Sequence, residues 1–158
     1  MVRLHWVVPD IHAAEKFFRE VVGVPEFVKM DNLRADELEG IAYGEQANFV
    51  FHLYMAYSGG SMIELIQPVS GKSIFQDYLD KHPKGGVQHI AFTVPKAELD
   101  ECVSGLTGKG YPAILNLTLP VASVAFFDTT NEIGVFTEII GLTEAGVEFV
   151  EQLKAQEV

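Results

Sequence analysis

A pattern that occurs twice along the chain constrains the fold more than any other feature. Residues 4–8 form a short apolar run that ends at Pro9, and apolar residues at helical spacing follow it as far as Gly23. An apolar run that begins at Val87 and ends at Pro95 starts the same order again, with a second helical pattern and closing glycines. Such self-similarity predicts a duplicated supersecondary unit, in which a strand and a helix are followed by further strands.

The later part of each copy has the patterns of strands. Residues 48–57 alternate between two faces, and Ser58-Gly59-Gly60 predicts a hairpin turn before a returning strand over 61–67. Residues 29–47 are polar and lack a period, which predicts a long excursion between strands. In the second copy, two further strands are predicted at 121–127 and 134–140.

These patterns predict one α+β domain, which is the size expected for 158 residues. Two βαβββ modules, at about 2–67 and 87–141, form one cupped mixed sheet and are joined by a linker over 68–86. A C-terminal helix over 143–157 completes the prediction, with Thr143 as its cap.

Charge and cysteine content limit the partners and the compartment. The chain has 11 Lys and Arg against 22 acidic residues, a net charge of −11, which repels nucleic acid and anionic membranes. We therefore expect neither as a partner. Cys102 is the only cysteine, so no intramolecular disulfide can form, and a reducing compartment is the simpler interpretation. Without a membrane-length apolar stretch or a signal peptide, the sequence predicts a cytoplasmic protein.

Four polar residues stand on predicted strands where apolar residues are expected. Glu64 and Glu138 each lie in the middle of an apolar strand, and His5 and His89 lie in the first strand of each copy. A carboxylate among apolar neighbours is costly unless it is paired, hydrogen-bonded or bound to a cation. Each residue alone has an ordinary explanation, such as a solvent-facing Glu or a hydrogen-bonded His. Together, at matching points of two repeats, they predict an octahedral divalent metal site with positions open to substrate.

Three segments carry a resemblance to a known family. Residues 62–68 read MIELIQP, 73–79 read SIFQDYL and 85–92 read GGVQHIAF. They resemble the central stretch of methylmalonyl-CoA epimerases and related glyoxalase-like proteins of the vicinal oxygen chelate superfamily. The closing segment GVFTE at 134–138 is also similar, and the likeness extends over about 2–141. The resemblance implies that Glu64, His89 and Glu138 bind a metal ion.

The first metal ligand of the family has no direct counterpart here. That ligand stands five residues before a strand-ending valine, as His89 stands before Val94, but counting back from Val8 gives Arg3. His5 lies two residues further along, on the same strand face. Three alternatives follow. The strand shifts and His5 is a ligand, or the site has three protein ligands, or the metal site is lost and Arg3 binds a substrate carboxylate or Glu64.

The resemblance implies an enzyme of the glyoxalase type, a lyase or an isomerase. In this superfamily a divalent ion, here nickel, cobalt, zinc or manganese, chelates two neighbouring oxygens of a small carbonyl substrate and stabilises an enolate. A side chain then moves the proton on the adjacent carbon. Glu138 and His52 are the predicted catalytic pair, because His52 is expected to face the same cup as Glu64 and a histidine carries protons near neutral pH.

Two other functions remain open at this point. Bleomycin-resistance relatives use the same cup to hold a small molecule without metal, which Arg3 and the aromatic residues Trp6, Tyr54 and Phe136 favour. Extradiol dioxygenases use iron with two His and one Glu, although they usually contain more modules. In each case the partner is a small molecule, and the acidic net charge disfavours a CoA thioester. The C-terminal helix has an apolar stripe that covers either its own sheet or the partner of a homodimer.

Overall fold

The computed structural model describes residues 2–157 and confirms an α+β fold around one curled sheet. The strands are β1 (Val2–Val7), β2 (Val28–Arg34), β3 (Ile41–Ala42), β4 (Glu45–Gln46), β5 (Val50–Ser58), β6 (Ser61–Ser70), β7 (Gly86–Pro95), β8 (Leu115–Leu119), β9 (Ala122–Phe127) and β10 (Phe136–Leu142). The helices are α1 (Ile11–Phe17), which a π-helical turn extends (Phe18–Val22), α2 (Ile74–Lys81), α3 (Leu99–Gly108), α4 (Thr130–Ile133) and α5 (Glu144–Ala155).

With β3 and β4 set aside, the order of the strands is symmetric about the pair β1 and β7. The order is β2-β5-β6-β1-β7-β10-β9-β8-β3-β4, so the first strands of the two repeats, β1 and β7, are neighbours and run antiparallel. Each also pairs in parallel with the last strand of its own repeat, β1 with β6 and β7 with β10. The sequence repeat therefore corresponds to two similar half-sheets that meet at β1 and β7.

A tight turn sets the register of the first half-sheet. Gly59 and Gly60 adopt φ angles of 61° and 80°, which glycine reaches at little cost, and they leave Ser58 paired with Ser61. From that pair the antiparallel ladder places Met55 opposite Glu64. Residues opposite each other in a ladder share a face, so Met55 and Glu64 point to the same side.

Helix α1 covers the outer face of the first half-sheet. The Asp10 side chain accepts hydrogen bonds from the backbone N–H groups of His12 and Ala13, which confirms it as the N-cap. Ile11 is fully buried and packs in one apolar cluster with Tyr54 and Leu65. The alternate residues of the same strands, such as Leu53 and Ile66, belong to a second cluster inside the cup.

The excursion between β2 and β5 crosses to the other half of the molecule. Ile41 of β3 pairs with Asn116 of β8, and the backbone N–H of Thr118 donates to the carbonyl of Leu38 at 2.8 Å. We expected residues 29–47 to be without strands, but they contain most of β2 together with β3 and β4. It lengthens the second half-sheet and joins the two halves away from the β1–β7 seam.

Helix α5 lies over the concave side of the sheet. Thr143 caps it as predicted, because its Oγ1 accepts from the backbone N–H of Gly146 at 3.0 Å. Val150 and Leu153 are buried, whereas Val147, which the sequence placed on the same apolar stripe, is 49% exposed. The Glu157 carboxylate accepts from the backbone N–H of Gly59, which ties the chain beyond α5 to the β5–β6 turn. Over residues 2–157, every helix is too short or too polar to span a bilayer.

Candidate metal centre

The cup encloses a cavity of about 70 Å³ that is polar at one side and apolar elsewhere. Its polar residues are all buried and are Arg3, His5, Glu64, His89 and Glu138. Apolar side chains from both half-sheets form the walls, among them Met30, Leu53, Phe75, Leu117 and Phe126. Phe149 and Val150 of α5 also line the cavity.

The central strands bring the polar residues together. His5 of β1 is the direct partner of His89 of β7, and Glu64 of β6 is the parallel neighbour of His5. Glu138 stands on β10, the parallel neighbour of β7, opposite Ala91. Residues from the two repeats thus converge where the half-sheets meet, as their matching positions predicted.

Three of the predicted ligands form a compact cluster. His5, His89 and Glu138 each offer one ligand atom, and these atoms lie within 4.8 Å of one another. His89 Nε2 lies 3.3 Å from Glu138 Oε2, and His5 Nδ1 lies 3.5 Å from the same oxygen. The ring centroids of the two histidines are 4.2 Å apart. One ion could therefore contact both imidazoles and the carboxylate after small adjustments.

Gln88 determines which nitrogen of His89 faces the cluster. The Gln88 side-chain N–H donates to the backbone carbonyl of Ile74 at 3.0 Å, so its amide oxygen is the atom that lies 2.7 Å from His89 Nδ1. In a neutral imidazole Nδ1 then carries the hydrogen, and the lone pair is on Nε2, the nitrogen that lies 3.3 Å from Glu138 Oε2. A histidine whose outer nitrogen is held in this way is typical of metal sites.

Several buried atoms of the cluster have no hydrogen-bond partner within residues 2–157. They are both ring nitrogens of His5, Nε2 of His89 and Oε2 of Glu138. Unsatisfied buried polar atoms are costly, and two lone pairs that face each other repel unless a proton or a cation lies between them. Imidazole nitrogens with one carboxylate oxygen are a donor set suited to first-row divalent metals. The residues present therefore fit a metal ion.

Burial also holds His5 in the protonation state that a ligand needs. Its pKa lies well below the usual value of 6.5, chiefly because burial penalises the charged imidazolium. The neighbouring His89 and Arg3 lower the pKa further, and Glu138 opposes them. Near neutral pH His5 is therefore uncharged and can offer a lone pair.

Glu64, the fourth predicted ligand, is paired with Arg3. Arg3 Nη1 donates to Glu64 Oε1 at 3.0 Å, and His5 Nε2 lies 3.4 Å from the same oxygen. Glu64 therefore stands beside the cluster, between Arg3 and His5. The structure thus contains one of the alternatives for Arg3, a pair with Glu64, and still places His5 against His89 and Glu138, the other two predicted ligands.

The position of His52 differs from the prediction. On β5, Phe51, Leu53 and Met55 line the cavity, so His52 points to the opposite face of the sheet. There its Nδ1 accepts from the backbone N–H of Asn32 at 3.0 Å and lies 3.3 Å from Asp31. The expectation that His52 shares the cup with Glu64 is wrong.

The predicted aromatic wall residues also lie outside the cup. Trp6 and Tyr54 pack on the outer face beside α1. Phe136 lies in a separate surface cleft with Tyr78 and Gln88. The aromatic side chains that do line the cavity are Phe51, Phe75, Phe126 and Phe149.

Gln88 is a site residue that the sequence patterns did not reveal. A residue next to His89 on a strand is expected to point to the other face, so strand periodicity does not predict Gln88 as its partner. The irregular register between β1 and β7 near His5 was not visible in the sequence.

Comparison with known proteins agrees with this architecture. Residues 3–122 match the model of the glyoxalase/bleomycin resistance protein/dioxygenase superfamily. Similar structures include a hypothetical protein from Bacillus halodurans C-125, with a TM-score of 0.67, 21% identity, and coverage of 90% of this chain and 93% of that one. Methylmalonyl-CoA epimerase from Mycobacterium tuberculosis has a TM-score of 0.64 and 17% identity, with coverage of 92% and 89%.

A third similar structure contains a ligand. It is a variant of Streptomyces coelicolor methylmalonyl-CoA epimerase in complex with 2-nitronate-propionyl-CoA, with a TM-score of 0.61, 21% identity, and coverage of 90% and 92%. At these identities the likeness shows the fold alone. No curated protein matches the sequence significantly.

Proposed function

The chain belongs to the glyoxalase/bleomycin resistance protein/dioxygenase superfamily, and from this premise we propose that it is a divalent-metal-dependent lyase or isomerase that moves a proton on a small carbonyl substrate. The observation that carries the proposal is the group of buried atoms of His5, His89 and Glu138 that face one another without hydrogen-bond partners. A cation is the simplest partner that satisfies all of them at once.

His5, His89 and Glu138 are the residues that would hold the ion. When bound, a divalent ion at this point supplies electrostatic stabilisation for negative charge on neighbouring substrate oxygens. Nickel, cobalt, zinc and manganese remain the candidates that the family resemblance implies. Gln88 supports this role, because it fixes the orientation of the His89 ring.

Two carboxylates in the cavity are available for proton transfer. Glu138 is the group that the sequence predicted, and it faces both histidines. Glu64 is the carboxylate that stays outside the three-residue cluster, and Arg3 holds its Oε1 in place. We propose that Glu138 serves chiefly as a ligand and that Glu64 accepts the proton, because a divalent ion weakens a carboxylate base more than the single charge of Arg3 does. His52 has no place in this proposal, since it lies on the other face of the sheet.

The surroundings of these residues favour such chemistry. The cavity walls are apolar and include Phe149 and Val150 of α5, and the polar residues are each at most 5% exposed. Electrostatic interactions are stronger where water is excluded, so charge that develops on a substrate is stabilised more here than on an open surface.

An iron-dependent oxygenase is the second candidate, because of the composition of the cluster. Two histidines and one carboxylate, with further positions open, are the ligand set of many non-haem iron(II) oxygenases. The identity of the metal in the purified protein separates this candidate from a lyase or isomerase.

Metal analysis of the purified protein tests the proposal. We expect about one divalent ion per chain by mass spectrometry, and its loss in His89→Ala and Glu138→Gln. His12→Ala is the matched control, because His12 is exposed on α1 and should leave the metal content unchanged. Wild-type protein that takes up no nickel, cobalt, zinc, manganese or iron after incubation and desalting would contradict the proposal and favour a metal-free binding protein.

Proton transfer can be measured without knowledge of the natural substrate. We expect the metal-loaded protein to catalyse exchange of the C3 hydrogens of 2-oxobutyrate for deuterium in deuterium oxide. NMR measures the rate of this exchange. Glu64→Gln should slow the exchange at least about tenfold and keep the metal. If Glu64→Gln exchanged at the wild-type rate, the proton would have to move through Glu138 or another group.

A further inference from the structure

We infer that Arg3 binds an anionic oxygen of the substrate, and hence that the substrate is a small carboxylic acid with a short apolar body. The inference rests on the proposed function, which places the reaction in this cavity. It goes further in assigning Arg3 the recognition of one chemical class. Arg3 occupies the place in the first repeat that His89 occupies in the second. A guanidinium group has no lone pair to offer a metal ion, so Arg3 has a different role from His89.

The symmetry of the sheet defines that equivalence. In the first repeat Glu64 is the parallel partner of His5, two residues after Arg3. In the second repeat Glu138 is the parallel partner of Ala91, two residues after His89. The pair of His89 and Glu138 therefore corresponds to the pair of Arg3 and Glu64. One half of the site has a metal-ligating pair, and the other half has an ion pair.

The guanidinium group of Arg3 is only partly used by the protein. Arg3 is 5% exposed and lines the cavity, and its Nη1 donates to Glu64. Its Nε and Nη2 are buried and have no hydrogen-bond partner within residues 2–157. These two N–H groups point in parallel on one edge of the guanidinium plane, the arrangement that binds both oxygens of a carboxylate. Buried donors left without an acceptor are costly, so a ligand that supplies oxygens here gains affinity.

The charge of the site favours a single negative charge on the ligand. Arg3 contributes one positive charge, Glu64 and Glu138 contribute two negative charges, and histidines that bind a metal are neutral. Addition of a divalent ion leaves the group with one net positive charge. Because isolated charge in a buried cavity is unfavourable, a monoanion completes the balance and a neutral ligand does not.

The size and lining of the cavity limit the remainder of the ligand. A water molecule needs roughly 10–15 Å³, so about 70 Å³ holds on the order of five. That space suits an acid of a few carbon atoms and is far too small for a CoA thioester. The walls near the polar residues include Met55, Ile66 and Ile140, which favour an aliphatic body over a polar one.

Two probes of nearly the same shape, one anionic and one neutral, test the inference. Isothermal titration would compare 2-oxobutyrate with its neutral amide, 2-oxobutanamide, on protein whose metal content has been measured. We expect the wild type to bind the acid about tenfold to a hundredfold more tightly than the amide, the range of charge-assisted hydrogen bonds. The decisive comparison is between Glu64→Gln and the double variant Arg3→Met/Glu64→Gln. They differ only at Arg3, and neither leaves a buried carboxylate without its arginine.

We expect Glu64→Gln to keep the preference for the acid and the double variant to lose it to within about threefold. Equal binding of both probes by the wild type would overturn the inference, as would a preference that survives in the double variant. If circular dichroism shows that the double variant is unfolded, Arg3→Gln/Glu64→Gln replaces it, because glutamine keeps a polar side chain, removes the charge and should also lose the preference. Wild-type protein without metal would refute the proposed function. In that protein the free donors of Arg3 still predict the same order of the two variants, with a smaller preference for the acid because the site then carries one net negative charge.

Discussion

Arg3 and Glu64 form a buried ion pair, with 3.0 Å between Nη1 and Oε1, at the place where the second repeat holds His89 against Glu138. The two repeats have the same topology, but Arg3 with Glu64 in the first repeat corresponds to His89 with Glu138 in the second. The second repeat presents an imidazole and a carboxylate to a common centre. The first presents a guanidinium that neutralises its own carboxylate, and His5, two residues further along β1, completes the cluster.

Removal of Arg3 alone should destabilise the protein strongly. Arg3→Met leaves the buried Glu64 carboxylate without its cation, and the loss of one partner of a buried pair costs about 3–5 kcal/mol. Arg3→Met/Glu64→Gln should recover most of this loss, because no uncompensated charge remains. Urea unfolding followed by circular dichroism measures the free energy of unfolding of each variant.

An exposed ion pair provides the matched control. Arg34 donates to Asp36 at 2.9 Å on the surface, and Arg34→Met should change the free energy of unfolding little. If Arg3→Met and Arg34→Met unfolded at the same urea concentration, the buried ion pair of Arg3 and Glu64 would contribute no more to stability than the exposed pair.

The face of His52 shows how much of the site was available from the sequence. A two-residue turn at Gly59-Gly60 fixes Ser58 opposite Ser61, and counting along the ladder then places Met55 opposite Glu64. His52 falls opposite Gln67, on the other face. The alternation of β5 identified two faces correctly but did not say which one faced the cup. The register of the turn, combined with Glu64, would have decided it.

The residues from the central strands were easier to predict than the excursion. His5, His89 and Glu138 lie on apolar strands with a clear period, and their convergence follows from the repeat. β2 pairs with β5 across the excursion, and β3 pairs with β8 of the other repeat through residues such as Ile41 and Asn116. Local patterns do not reveal such partners. Gln88 was missed for a similar reason, since its contact with His89 depends on an irregular register.

Gln88 should control the affinity for metal without touching the ion. Gln88→Met removes the acceptor for His89 Nδ1 at 2.7 Å, so the ring can rotate or change its tautomer. Loss of such an outer partner typically lowers metal affinity about 10-fold to 100-fold. Competition with a fluorescent chelator measures the affinity of the metal-stripped protein for zinc.

Gln67 is the control for Gln88, because it is also a strand glutamine with a specific hydrogen bond. Its Oε1 accepts from the backbone N–H of Ile11 at 2.8 Å, at the start of α1 and outside the cavity. Gln67→Met should lower the stability of the fold and leave the zinc affinity unchanged. A similar loss of affinity in both variants would mean that Gln88 acts only through general stability.

Tyr54 should ionise only in strongly alkaline solution. The pKa of Tyr54 is raised from 10.0 to about 12. Burial is the larger cause, and the hydrogen bond that the hydroxyl donates to Asp31 at 3.1 Å is the second. In the unfolded chain the phenol loses its proton near 10, so the unfolded state binds fewer protons between these values. The contribution of Tyr54 to stability is therefore complete below pH 10 and is lost as the pH rises towards 12.

The ultraviolet absorbance of tyrosinate follows this titration in the folded protein. Tyr54→Phe should remove the last of the tyrosine transitions and leave the earlier ones in place. A wild-type titration that is complete near pH 10, with circular dichroism still that of the folded state, would show that the hydroxyl of Tyr54 is accessible to solvent.

Helix α5 should limit the size of the ligand that the cavity accepts. Phe149 is half-buried and lines the cavity from α5, so Phe149→Ala adds space beside the polar residues. The variant should lose about 2 kcal/mol of stability, less than the roughly 3–5 kcal/mol of a fully buried phenylalanine. It should also bind 4-methyl-2-oxopentanoate more tightly relative to 2-oxobutyrate, which isothermal titration measures. Val147→Ala, at an exposed position of the same helix, should change neither quantity, and an unaltered preference in Phe149→Ala would mean that ligands enter from a side that α5 does not cover.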